Sequence, residues 1–125
     1  MIYLDTHAVV WLYAGEIERF PKAAREAIEE EDLLISPLVL LELQYLRETQ
    51  RVAEEPHVIH ERLARAIGLR CREMPMLQVM QEAILQTWTR DPFDRMIVAQ
   101  CVVDSVPLLT KDRAIRKHFT GARWD

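Results

Sequence analysis

The sequence predicts an α/β fold, a short parallel β-sheet flanked by helices on both faces. Three observations lead there. Short runs that are apolar throughout, "IYL" at 2–4, "LLIS" at 33–36 and "VPLLT" at 106–110, recur along the chain, and strands buried on both faces read that way. Between them lie longer stretches with helical spacing of apolar residues and recognisable helix starts. The chain has 125 residues, 50% of them apolar and 29% charged, which suits one compact core, so residues 1–125 are expected to form a single domain.

The elements follow in order. Residues 2–4 form a strand ending at Asp5, and "THAVVWLYA" continues as a helix with Thr6 as its cap. Pro21 opens a second helix, "PKAAREAIEEE", to about residue 31, ahead of the strand at 33–36. Ser36 and Pro37 supply the N-cap and first helical residue of a helix from about 37 to 51. A helix over roughly 56–67 is stopped by Gly68. "LRCREM" at 69–74 alternates as a strand closed by Pro75, and residues 76–88 form another helix. In "TRDPFDRMIVAQ", Asp91 is a cap, Pro92 the first helical residue and Asp94 part of the first turn of a helix running to about 104. The strand at 106–110, a short helix "DRAIRKHF" and an edge strand "ARWD" complete the chain.

Composition excludes several classes. The longest apolar runs, such as "AVVWLYA" at 8–14, fall well short of the ~20 residues of a membrane span. The start "MIYLDTH" lacks a basic segment followed by an apolar one, so a cytoplasmic location is expected. Cys71 and Cys101 are isolated and read as reduced, packed thiols. His57 and His60 share a helical face among charged neighbours and read as solvated. A net charge of −4 argues against a broad basic surface for duplex nucleic acid; the Arg and Lys gathered in "KDRAIRKH" and around Arg90 and Arg95 read either as a small positive rim or, as charge runs more often do, as a solvated face.

The acids carry the chemistry. Asp5, Glu42, Asp94 and Asp112 each fall just after a strand or early in a helix, and in open parallel sheets sites form outside the carboxyl ends of the strands. Glu42 sits inside "PLVLLELQYL", where an unpaired carboxylate is costly and needs a partner, with Arg95 or Arg47 as candidates. Carboxylates brought together at one edge repel unless protons or cations intervene, and hard oxygen donors without histidine or thiolate suit Mg²⁺ or Mn²⁺.

The blocks "YLDTHAVVW", "ISPLVLLEL", "RDPFDRMIVAQ" and "LLTKDRAIRKH", in this order and over essentially the whole chain, resemble the PIN-domain family, and specifically the VapC-type toxin ribonucleases of type II toxin–antitoxin modules. The resemblance implies a PIN-like fold and a Mg²⁺- or Mn²⁺-dependent endoribonuclease, a phosphodiester hydrolase that cuts single-stranded or looped RNA by in-line attack of metal-activated water. It further implies a cognate antitoxin that blocks the site, and a homodimer. By the same resemblance Asp5, Glu42, Asp94 and Asp112 are the first to fourth metal-binding, catalytic acids. Thr6 and Thr110 match hydroxyl positions beside the metal, Asp91 is mainly the helix cap, and Arg95 orients carboxylates. One departure is that relatives often carry His where Thr89 stands, which weakens any role for an accessory base there and leaves the four acids intact.

Two other readings compete. A catalytically silent PIN-like RNA-binding or protein-interaction module would keep the fold without turnover. An aspartyl phosphotransfer domain would need a second Asp that "LDTH" lacks. For partners, the helix "SPLVLLELQYL" offers more apolar surface than one core stripe buries, with Val39, Leu43 and Leu46 on one face and Leu38, Leu41 and Tyr45 on another. Trp11 and Tyr13 are the candidate anchors on the neighbouring helix wall.

Overall fold

In the computed structural model, which describes residues 1–125, strands and helices alternate as β1 (Ile2–Leu4), α1 (Thr6–Tyr13), α2 (Lys22–Glu30), β2 (Leu33–Ile35), α3 (Pro37–Glu48), α4 (Pro56–Ile67), β3 (Arg70–Cys71), α5 (Met76–Leu85), α6 (Pro92–Asp104), β4 (Leu108–Leu109), α7 (Arg113–His118) and β5 (Ala122–Arg123). All strand pairs are parallel, in the order β3-β2-β1-β4-β5. Because β1 is central, Tyr3 stands opposite Leu34 on one side and Leu108 on the other. The inner strands are fully buried, whereas the edge strands are two residues each and carry the charged Arg70 and Arg123. Short charged edges discourage pairing with another sheet.

The core joins β1, β2 and β4 to Ala8 and Val9 of α1, Val39 and Leu43 of α3, Ile59 and Leu63 of α4, Ile97, Val98 and Cys101 of α6, and Ile115 of α7. A second small cluster, Val79, Ala83 and Ala99, seals α5 against α6. Polar groups lock the far end of α6. The Tyr3 hydroxyl donates to Asp104 (2.5 Å), Arg72 pairs with the same carboxylate (2.8 Å), and Gln100 donates to both the Tyr3 hydroxyl and the Arg72 carbonyl. A buried carboxylate met by a phenol and a guanidinium is stabilised rather than orphaned. No helix is long and apolar enough to cross a membrane.

Several sequence expectations need correction. Thr6 is not the cap of α1: it is the first helical residue, and Asp5 caps it by accepting from the Thr6 N–H. The strand expected over 69–74 shrinks to Arg70–Cys71 and that over 106–110 to Leu108–Leu109, because ladder length depends on the neighbour rather than on the strand's own pattern. The helix expected to reach 51 ends at Glu48, since Gln50 takes φ +62° and the Arg51 and Val52 N–H groups both close back onto the Leu46 carbonyl. The helix expected to reach 88 stops at Leu85. An unforeseen 3₁₀ turn covers Ile17–Arg19. His57 is solvated beside Glu55, but His60 is not: its Nε2 is buried without a hydrogen-bond partner.

Candidate active site

Since β1 and β4 are parallel neighbours, their carboxyl ends deliver Asp5 and Thr110 side by side. Asp5 is almost fully buried, and both of its oxygens are occupied: Oδ1 accepts the Thr6 N–H (2.8 Å) and Oδ2 the Thr110 hydroxyl (2.6 Å). Two donors, one on each oxygen, fix the direction of the carboxylate. Asp112 follows in the same turn. Its N–H donates to Thr110 Oγ1 (3.1 Å), and its Oδ1 caps α7 through the Ile115 N–H (3.0 Å).

Ser36 Oγ accepts the Leu38 N–H and starts α3 at the end of β2, which places Glu42 in the second turn facing α1. There the Thr6 hydroxyl donates to the Glu42 carboxylate. Glu42 therefore pairs with neither Arg95 nor Arg47, as the sequence had suggested; Arg47 instead reaches the Ala53 carbonyl and Glu55.

No strand precedes α6. Its N-terminus reaches the site because α5 and α6 pack closely as a hairpin. Asp91 is its cap, accepting from the N–H groups of Phe93 (2.8 Å) and Asp94 (3.3 Å). Arg95, expected to orient carboxylates, forms no ion pair with them. Its guanidinium donates to the Ala83 and Ile84 carbonyls, both at 3.1 Å, and so ties the first turn of α6 to the last turn of α5. Thr89 Oγ1 accepts the Asp91 N–H, which makes it part of the same cap.

The acids repel one another. Burial pushes the Asp94 carboxyl up to about 7, with Asp91, Asp5, Asp112 and Glu42 each adding repulsion. Burial also raises Glu42, against the Thr6 hydrogen bond that lowers it, and Asp5 and Asp91 raise it further. No Lys or Arg forms an ion pair with Asp5, Glu42, Asp94 or Asp112. No three His, Cys, Asp or Glu side chains stand in a metal-ligating arrangement. The donor set is all oxygen, which fits a hard divalent cation such as Mg²⁺ or Mn²⁺.

Sequence reasoning missed His7. Its Nε2 accepts the Lys111 N–H (3.1 Å), its Nδ1 lies 3.6 Å from Asp5 Oδ2, and burial pushes its imidazole down against the raising influence of Asp5. The available signal was a histidine two residues beyond a strand-ending acid. Trp11 and Tyr13 are engaged within the chain rather than free. Trp11 packs on Phe20, His7 and Trp124 with Lys111 over its ring, and the Tyr13 hydroxyl accepts from Arg62. In the positive rim, Arg90 bonds the Thr87 carbonyl and Arg116 pairs with Asp125, while Arg113 and Lys117 are exposed without an ion pair.

A parallel sheet in this order, entered by helices at its carboxyl edge, is a PIN fold, and the PIN-domain profile matches residues 2–118; the chain belongs to the PIN-domain family. Within the family it is of the VapC type. It is 31% identical over 123 residues to "Ribonuclease VapC22" of Mycobacterium tuberculosis, covering 94% of this chain and 91% of that protein. Among solved structures it resembles the crystal structure of VapBC2 from Rickettsia felis bound to a DNA fragment from their promoter, with a TM-score of 0.68 and 16% identity over the whole of both chains. It also resembles a toxin–antitoxin complex from Klebsiella pneumoniae, with a TM-score of 0.63 and 13% identity over 98% of this chain and 96% of that one. At such identities the structural likeness speaks for the fold.

Proposed function

We propose that this chain is a Mg²⁺- or Mn²⁺-dependent endoribonuclease toxin that cuts single-stranded or looped RNA and is inhibited by a cognate antitoxin, residues 1–125 acting as one PIN-like ribonuclease domain. The observation that carries the reading is the Asp94 carboxyl, held near 7 by burial and by the repulsion of Asp91, Asp5, Asp112 and Glu42. Such a site is poor as a salt-bridge network and good as a cation trap. Asp5, Glu42, Asp94 and Asp112 would hold the ion. When bound, it supplies Lewis-acid charge to a phosphodiester and lowers the pKa of attacking water. Thr110 and Thr6 hold Asp5 in one direction, and Thr6 also orients Glu42. Asp94 would hold the ion as its carboxylate and so give up the proton that burial and its neighbours favour. Asp91 caps the α6 N-terminus through the Phe93 and Asp94 N–H groups and so fixes the first turn that carries Asp94.

The ribonuclease relative supports RNA as substrate, and the toxin–antitoxin complexes among the structural neighbours support a protein inhibitor. The net charge of −4 suits a strand gripped locally, with Arg113 and Lys117 at the rim, and suits a basic inhibitor segment. A homodimer in the cytoplasm completes the reading. Exposed Leu41 and Tyr45 on α3, and exposed Leu77, Ile84 and Leu85 on α5, support such contacts.

The test is mapping of new 5′ ends in total RNA incubated with purified protein and Mn²⁺. Discrete new ends are expected, and they should vanish with EDTA and with Asp5→Asn. RNA that is bound but uncut by the wild type in Mn²⁺ would establish the silent binding module instead.

A further inference from the structure

We propose that His7 is a positioning residue: its imidazole, accepting at Nε2, locks the Thr110–Asp112 turn onto α1 and so sets where the Asp112 carboxylate stands relative to Asp5. The inference rests on the metal-nuclease reading above and deepens it.

Each N–H of that turn has its own partner. Thr110 donates to the Arg123 carbonyl of β5 (3.0 Å), Asp112 donates to Thr110 Oγ1 (3.1 Å), and Lys111 donates to His7 Nε2 (3.1 Å). Of the three, only the Lys111 N–H is held by a side chain from a different element. An accepting Nε2 carries no proton, so the neutral ring has its N–H at Nδ1, the nitrogen 3.6 Å from Asp5 Oδ2. One ring thus faces the first acid with one nitrogen and holds the backbone before the fourth with the other.

Its orientation is fixed by packing. Trp11 and Trp124 meet the imidazole edge-on, at 5.3 and 5.8 Å between ring centroids. The Thr110 hydroxyl also ties the turn to Asp5 (2.6 Å) and Asp112 Oδ1 caps α7 (3.0 Å), but neither holds the peptide before Lys111. The Lys111 side chain lies over Trp11 instead of among the acids, and α7 beyond the turn is only six residues long. Loss of the acceptor would let the peptide before Lys111 rotate and carry Asp112 with it, while β4 stays paired. The requirement spans 104 residues of sequence, which is why local patterns do not reveal it.

The test compares wild type, His7→Phe and His7→Gln as full chains. Phenylalanine keeps a ring between the tryptophans but accepts no hydrogen bond; glutamine Oε1 reaches the place of Nε2. In ion-free protein, the wild-type imidazole should show an unprotonated Nε2 by nitrogen NMR. The Lys111 amide should exchange about tenfold faster in His7→Phe, the factor that one lost hydrogen bond carries. Calorimetric Mn²⁺ affinity should fall by about tenfold or more in His7→Phe, as for other residues that orient ligands. His7→Gln should restore both. Wild-type exchange and wild-type Mn²⁺ affinity in His7→Phe would overturn the proposal, as would a Tm loss shared by both variants with Mn²⁺ affinity unchanged. A wild type that takes up no Mn²⁺ would overturn the underlying reading instead, and is recognised because all three proteins then fail alike.

Discussion

At Asp94, burial and the neighbouring carboxylates act in the same direction, lifting the carboxyl from 3.8 to about 7. The folded chain therefore binds that proton more tightly than the unfolded chain. The stability this contributes is fully present below the unfolded value of 3.8 and is lost as pH rises through about 7. Ion-free protein should accordingly show a Tm that declines between these pH values, and Asp94→Asn should flatten the decline and melt higher at pH 8, measured by calorimetric scans in EDTA. An unchanged slope in Asp94→Asn would show that Asp94 is not the titrating group. Asp91 belongs to a different category, because it occupies two N–H groups of α6. Asp91→Ala should lose about 1 kcal/mol in chemical denaturation, the usual cost of a lost cap, while keeping part of the RNA cleavage. Much of this was legible: Asp5 ends a strand, where sites form in open parallel sheets, and the DPFD block marks a helix start by its cap and proline. The partners of Glu42 and the role of His7 were not, because Thr6 and Lys111 meet them only through folding.

Helix starts were readable where the signal is local, as at Ser36-Pro37 and Asp91-Pro92, since a cap and the residue it serves lie within three positions. Strand lengths and helix ends were less so, being decided by neighbours. Arg95 illustrates the difference. Its place beside Asp94 suggests a role with the carboxylates, yet its guanidinium reaches back to the carbonyls ending α5. Arg95→Ala should lower stability by about 1–2 kcal/mol, as expected for lost hydrogen bonds from a charged donor, with Mn²⁺ affinity close to wild type. Urea denaturation paired with calorimetry separates the two quantities. A large affinity loss at unchanged stability would restore the carboxylate-orienting role.

For the whole molecule, a parallel sheet flanked by helices follows from the alternation of strands and helices, but the strand order and the outer surface do not. "MLQVMQEAIL" is apolar on more than one face, and only the packed structure shows that Val79 and Ala83 turn inward while Leu77, Ile84 and Leu85 stay in solvent. For a homodimer joined through α5, Leu77→Glu with Ile84→Glu should reduce the mass found by light scattering to that of one chain and remove the dependence of Tm on protein concentration. Retention of the larger mass would move the contact to α3, where Leu41 and Tyr45 are exposed.

The central claim is that the acids at the carboxyl edge of the sheet form one divalent-cation site, and Mn²⁺ titration calorimetry at pH 6 and pH 8 tests it most directly. Tighter binding is expected at pH 8, with proton release near pH 6 as Asp94 gives up its proton, and a large loss of affinity in Asp94→Asn at both values. Equal binding by wild type and Asp94→Asn, or no binding by the wild type, would contradict the account.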